Sequence, residues 1–229
     1  RLKGELDIEA LRRSFEHLIE RHETLRTCFR QDGEQAIQVI QPNIAFELPC
    51  DVLEDEGDIQ ARVEAEIQRP FDLEHGPLLR VKLLRLAPDD HVLVLTLHHI
   101  VSDGWSTPVM VDELISLYEG YRQGQAVDLP ALPIQYADYA IWQRNWMEAG
   151  ERERQLSYWK EQLGEEQPVL ELPTDRPRPA VQSHAGASLN VELGSELSQS
   201  LKRLAQEQGV TLFMLLLASF QTLLHRYSG

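Results

Sequence analysis

Two neighbouring runs of alternating apolar residues constrain the fold of this chain more than any other feature. They read LLRVKLLRL over residues 78–86 and HVLVLTLHH over residues 91–99, and the tetrapeptide APDD separates them. Alternation with a period of two is typical of half-buried strands, and a short turn-forming connection joins such strands into an antiparallel hairpin. The sequence therefore predicts a sheet built around this hairpin.

Helical and strand-like patterns follow one another along the rest of the chain. Asp7 is the predicted N-cap of a first helix, whose apolar residues recur at helical spacing: Ile8, Leu11, Phe15, Leu18 and Ile19. Thr107 is the predicted N-cap and Pro108 the first residue of a later helix, whose inner face carries Met110, Leu114, Leu117, Tyr118 and Tyr121.

The remaining predicted elements complete a mixed order of strands and helices. They are a hairpin over 25–40 turning at Asp32-Gly33, a short strand over 46–50, helices over 58–69, 136–148 and 152–163, a strand over 187–193, and helices over 195–209 and 211–227. Such an order favours an α/β or α+β sandwich, in which sheet and helices pack in layers.

The charge and cysteine content of the chain restrict the binding partners and the cellular compartment that we expect for it. The chain has 22 basic and 37 acidic residues, a formal net charge of −15, which argues against a nucleic-acid or anionic-membrane surface. No apolar run approaches the roughly 20 residues of a membrane span. Cys28 and Cys50 both fall in strand-like stretches, so we expect buried, reduced thiols in a cytoplasmic protein.

The stretch LTLHHIVSDGWS, residues 95–106, holds the candidate site. Alternation along a strand would point His98 and His99 to opposite faces of the sheet, so the pair could not converge on one metal ion, and we expect no metal site. Asp103 follows His99 by four residues across a turn that contains Gly104. It could orient His99, act on a substrate, or pair with an arginine. Spacing alone leaves a structural and a catalytic His99 equally open.

Three motifs in order resemble those of condensation domains of non-ribosomal peptide synthetases. RHETLRTCF (21–29) is similar to RHExLRTxF, LHHIVSDGWS (97–106) contains HHxxxDG, and YADYAIW (136–142) is similar to YxDYAxW. The resemblance implies a chloramphenicol-acetyltransferase-like lobe of a two-lobed condensation domain. It places an N-terminal lobe, lacking the family's first motif, at 1–173, a Pro-rich linker at 174–184 and the start of a C-terminal lobe at 185–229.

The resemblance also implies roles for single residues. His99 corresponds to the catalytic histidine and His98 to a structural one. Asp103 corresponds to an aspartate that pairs with an arginine, for which Arg26 is the expected partner and Arg21 the alternative. Gly104 would line the site with its backbone amide, and the remaining motif positions are expected to be scaffold packed in the core: Tyr136, Asp138, Tyr139 and Trp142.

The activity implied by the resemblance is peptide-bond formation. A donor acyl or peptidyl thioester is transferred to the α-amine of an aminoacyl thioester. Both are carried on phosphopantetheine arms of upstream and downstream peptidyl carrier proteins beside an adenylation domain, so no cofactor is expected on this chain. Because the C-terminal lobe would be incomplete, we expect residues 1–229 alone to be inactive. The alternatives are an acyl-CoA-dependent small-molecule acyltransferase of the same fold, an epimerisation variant, and an inactive carrier-docking scaffold.

Overall fold

In the computed structural model of the protein, the predicted central hairpin is the middle of a four-stranded sheet. Strand β5 (Leu79–Ala87) pairs antiparallel with β6 (Asp90–Leu97) from Leu79 opposite Leu97 to Ala87 opposite Asp90. The strand order is β1-β6-β5-β4, where β1 is Leu2–Lys3 and β4 is Cys50–Val52. β4 runs parallel to β5.

The chain divides into two compact units, Arg1–Arg154 and Gln155–Gly229, and the structure describes residues 1–165, 169–183 and 186–228. The first unit also contains helix α1 (Ile8–Arg21), the hairpin β2 (Thr27–Asp32) and β3 (Gln35–Ile40), and helices α2 (Asp58–Gln68), α3 (Ser106–Arg122) and α4 (Tyr136–Trp146). Helix α5 (Arg152–Leu163) follows a single π-helical turn, and α6 (Ser195–Glu207) and α7 (Leu212–Ser228) belong to the second unit.

The main core of the first unit lies between the sheet and two helices. α1 begins where predicted, because the Asp7 carboxylate accepts a hydrogen bond from the Ala10 amide at 2.9 Å. The buried residues of α1, β5 and α3 form one cluster, whose members include Leu11, Phe15, Leu18, Leu79, Val81, Met110 and Leu117. Leu84 of β5 instead packs in a second cluster with Leu53 and Val94, beside α2. Helices therefore cover both faces of the sheet, which confirms the mixed α/β layers.

Several local predictions about the strands were wrong. The first hairpin turns at Gly33-Glu34, because Asp32 still pairs with Gln35 at the end of the ladder. The strand expected over 46–50 begins only at Cys50, and Cys50 is exposed rather than buried, whereas Cys28 is buried as expected. β4 is an edge strand, so one side of it faces no neighbour in the sheet.

The strand predicted over residues 187–193 does not form either. This segment has no regular secondary structure, and its apolar side chains are exposed, Leu189 to 88%. A strand is stabilised only by pairing with a neighbour, and no other strand in the described part of the chain pairs with these residues. The described part of the predicted linker, 174–183, has neither helix nor strand. His184 and Ala185, at the linker boundary, lie outside the described residues, and the lobe boundaries stay predictions.

Within the described ranges, no single helix is both long enough and apolar enough to span a membrane. α6 and α7 meet the length and composition criteria only as a pair, and the two helices are bent by 104° at the break between them.

Candidate functional site

The histidine pair lies on the turn that follows β6, one and two residues past the strand's last residue, Leu97. The prediction that both lie on the strand was wrong. The His98 amide still donates to the Leu78 carbonyl at 3.0 Å, and the chain then turns back, with the Val101 amide donating to the His98 carbonyl at 3.1 Å. The imidazoles are therefore placed by a turn at the sheet's end.

The two imidazoles have different surroundings. The His98 ring is half-buried, accepts a hydrogen bond from the Ile100 amide at Nδ1 (3.0 Å) and meets the edge of Phe71 at 5.6 Å between ring centroids. The His99 ring is exposed, and none of the described residues forms a hydrogen bond with it. His98 is thus fixed by its neighbours, while His99 is available to a ligand.

His99 lies on the wall of a cavity of about 360 Å³ that is formed entirely within the first unit. The walls come from the turn after β6, the start of α3, the turn after α1 and the segment before α4. Most of the lining residues are apolar, and among them are Leu25, Leu97, Val101, Trp105, Met110, Leu132, Ile134 and Tyr136.

Asp103 organises the start of α3 rather than pairing with an arginine. Its carboxylate accepts hydrogen bonds from the Trp105 amide (3.0 Å), the Ser106 amide (2.8 Å) and the Ser106 hydroxyl (2.7 Å). The Ser106 hydroxyl and amide are the main cause of a lowered pKa for Asp103, followed by the Trp105 amide and the nearby His99. α3 consequently begins at Ser106, and the predicted cap at Thr107 was wrong.

The expected ion pair between Asp103 and Arg26, or Arg21, does not occur among the described contacts. The Arg26 guanidinium donates to the Gln41 carbonyl at 2.7 Å and to Glu23 at 3.3 Å. Asp103 is exposed, so no buried charge requires an arginine there. Gly104 is also exposed, does not line the cavity and has no positive φ, so neither its predicted role in the site nor a special turn conformation is supported.

Sequence reasoning missed two residues, Glu113 and Gln135, that bind the end of α1 and the turn after it. Glu113 of α3 binds Arg21 (Nε at 3.1 Å) and His22 (Nε2 at 2.6 Å), and Arg21 also donates to the Pro130 carbonyl at 2.6 Å. Gln135 donates to the Arg21 carbonyl and accepts from the Glu23 amide. The sequence does contain a sign of the role of Glu113, since this carboxylate follows Met110 by three residues and so falls on the otherwise apolar inner face of α3.

The third motif lies at the start of α4. The Asp138 carboxylate accepts from the Gln135 amide at 2.8 Å and so caps the helix. Tyr136, Tyr139 and Trp142 are exposed, and consecutive rings contact each other in a tilted arrangement at 5.6–5.7 Å between ring centroids. Helix α4 has no buried residue. The expectation that these aromatics pack in the core was wrong. Tyr136 lines the cavity instead.

Glu113→Ala is expected to destabilise the first unit, because it leaves two partly buried groups without their partner. The side chains of Arg21, His22 and Glu113 are 13%, 23% and 15% exposed. Loss of hydrogen bonds to a charged group at such a site costs about 2–3 kcal/mol. Chemical denaturation measures the free energy of unfolding, and Asp112→Ala, a change in an exposed carboxylate on the same helix, is the control. A Glu113→Ala variant as stable as the control would contradict the role of this network.

Asp103→Ala is expected to lower the melting temperature by a few degrees while the protein stays folded and soluble, because the exposed hydrogen bonds that fix the turn before α3 are lost. Asp103→Asn should be milder, since its amide oxygen can accept the same bonds. The pKa of Asp103 is lower in the folded than in the unfolded state, so the ionised carboxylate stabilises the fold. This stabilisation is fully present above the pKa of the unfolded state and is lost as the pH falls through the pKa of the folded state. Thermal unfolding with Glu119→Ala as control tests this, and an insoluble Asp103→Ala would indicate a buried ion pair after all.

No group of three or more metal-binding side chains (His, Cys, Asp or Glu) is close enough within the described ranges to hold a metal ion. The cavity therefore offers the His99 imidazole, walls that mix apolar and polar side chains, and the Asp103 carboxylate, which accepts hydrogen bonds in the turn before α3. This set can bind an uncharged ligand and accept a proton from it.

Comparison with known proteins identifies relatives along the whole chain. A family model described as "Condensation domain" matches residues 1–229. A linear gramicidin synthase from Brevibacillus parabrevis is 50% identical over 235 aligned residues, which cover 100% of this chain and 3% of that protein. The chain thus spans a small fraction of this curated relative.

Solved structures also match this chain over its whole length or nearly so. The X-domain from teicoplanin biosynthesis is 31% identical, with a TM-score of 0.91 over 100% of this chain and 52% of that one. The X-domain in its complex with OxyB, also from teicoplanin biosynthesis, gives a TM-score of 0.87 at 31% identity over 99% of this chain and 50% of that one. The chain spans about half the length of these matched structures.

Proposed function

This chain belongs to the condensation-domain family, and from that premise we propose that it contributes the catalytic histidine for peptide-bond formation between two carrier-bound thioesters. The observation that most directly supports the proposal is the exposed His99 imidazole on the wall of a largely apolar cavity. His98, fixed by Ile100 and Phe71, serves as a support for the same turn.

The reaction requires one proton to be moved. The α-amine of the acceptor, with a pKa of about 7.7–8.0, is partly neutral near pH 7 and attacks the donor carbonyl carbon. A carbon–nitrogen bond forms, and the carbon–sulfur bond of the donor thioester then breaks. The nitrogen of the intermediate is cationic, so it must release a proton, and the departing thiolate can take one up.

His99 is suited to that transfer because imidazole accepts and releases protons near neutral pH. It accepts the proton from the nitrogen, or hydrogen-bonds the amine and positions it, and the proton is finally delivered to the thiolate sulfur. Positioning adds to the rate, since two tethered substrates held near attack distance react as if at high concentration.

We propose that the substrates arrive on phosphopantetheine arms of upstream and downstream peptidyl carrier proteins, with an adenylation domain alongside, so that the cofactor belongs to the partners. The similarity to a linear gramicidin synthase supports this context. The test supplies the complete condensation domain containing this chain with a donor either on a carrier or as acyl-CoA, and product is measured by intact-protein mass spectrometry. Carrier-dependent product is expected. Transfer from acyl-CoA to a free amine alone would favour a small-molecule acyltransferase.

A docking role is the second candidate, because one of the matched X-domains is seen in a complex with OxyB. If the domain only docks partners, His99→Ala should leave the amount of product unchanged. The same mass-spectrometric assay therefore separates the two candidates.

A further inference from the structure

The charge of the cavity around His99 restricts the substrates it can accept. No lysine or arginine is among the described residues that line it, and Asp103 supplies its one carboxylate. That carboxylate already accepts bonds from Trp105 and Ser106. An anionic substrate group entering this cavity would lose hydration without gaining an opposite charge, which is unfavourable, whereas a cationic group could pair with Asp103.

Trp105 is the largest apolar group on the cavity wall, and it is 85% exposed. Its backbone is held in place, because its amide donates to Asp103 at 3.0 Å and α3 begins at the next residue. An indole on a fixed backbone position presents a broad apolar surface at little conformational cost to a ligand. A substrate that covered it would remove that surface from water.

Two further exposed apolar side chains, Ile134 and Tyr136, line the cavity from the segment that leads into α4. Trp105 comes from the other wall, at the start of α3. An apolar side chain of moderate size placed between these walls would contact both.

We propose that the cavity selects thioester substrates with apolar rather than anionic amino-acid side chains, and that Trp105 is the residue that determines the preference for large apolar side chains. The proposal rests on the function proposed above and specifies its substrate class. Removing the indole would widen the cavity and reduce the contact made by large apolar side chains more than that made by alanine.

The test uses the complete condensation domain and equimolar mixtures of carriers loaded with leucine, phenylalanine, alanine, aspartate or lysine, with donor and acceptor varied in turn. The wild type should favour the apolar substrates over aspartate by about tenfold or more at one of the two positions, and should discriminate less against lysine. Trp105→Ala should reduce the preference for leucine and phenylalanine over alanine, and Trp105→Phe should keep most of it. Trp146→Ala changes an exposed aromatic residue of α4 that does not line the cavity, and it is the control.

A binding measurement makes the outcome independent of turnover. The 229-residue chain is titrated with N-acetylcysteamine thioesters of acetyl-leucine and acetyl-aspartate, and chemical-shift changes are followed by NMR. Tighter binding of the leucine compound, weakened by Trp105→Ala, supports the proposal even if the complete domain forms no product. Equal use of all substrates, or a Trp105→Ala variant that melts earlier with unchanged selectivity and binding, would overturn it while leaving the proposed reaction intact.

Discussion

Replacing His99 with alanine in the complete condensation domain is expected to slow peptide-bond formation by about 100-fold or more, the usual contribution of a positioned acid–base group. The ring is exposed on the cavity wall and forms no hydrogen bond with any described residue. Its removal should therefore leave folding unchanged. The residual rate is expected to stay above background, because the positioning of the two tethered substrates depends only partly on the imidazole.

Single-turnover formation of the peptidyl carrier, followed by mass spectrometry, gives the rate. His75→Ala is the matched control, since His75 is also exposed but lies on a different turn, bound to Asp72 at 2.9 Å. Added imidazole should restore part of the rate to His99→Ala, a result that a merely structural histidine would not give. An unchanged rate in His99→Ala would reject the catalytic assignment and favour the docking role.

The second large effect concerns the chain by itself. Residues 1–229 are expected to give no condensation product above background, although they carry His99. The chain covers about half of the matched X-domain, and several apolar residues beside the cavity are exposed, among them Ile134 and Tyr136. An open cavity cannot exclude water or hold two thioesters in the correct relative position. Most of the rate enhancement that comes from positioning the substrates would therefore be lost.

The experiment compares the 229-residue chain with the complete domain at equal concentrations of loaded carriers. Circular dichroism and a cooperative melting transition first establish that the chain is folded, so that a lack of product is not due to unfolding. Robust turnover by the chain alone would show that one lobe suffices and that the rest of the domain serves another purpose.

The elements that sequence reasoning predicted well are those whose pattern is local. The alternation in β5 and β6, the Asp7 cap and the spacing of Leu11, Phe15 and Leu18 in α1 each determine a strand or helix from neighbouring residues alone. Residues of all three motifs line the candidate cavity, among them His22, His99 and Tyr136. His99 was identified before any contact was known, because the pattern of residues around it resembles that of a known family.

The tertiary structure decided what depends on residues distant along the chain. The strand expected over 187–193 needed a partner that the described residues do not supply, and Cys50 became exposed because β4 lies at the edge of the sheet. The family resemblance implied an arginine partner for Asp103, but Asp103 is exposed. Its three hydrogen bonds, from the Trp105 amide and from the Ser106 amide and hydroxyl, fix the turn that leads into α3.

The sequence by itself determined the family and the layered fold, and it singled out His99 as the candidate catalytic residue. Only the tertiary structure showed that Glu113, 92 residues after Arg21 in the chain, binds Arg21 and His22 behind that site. It also showed that Trp105 stands exposed in the cavity. The physical reason is that periodicity and motifs record local geometry, whereas burial and ion pairing are set by whichever distant segments pack together.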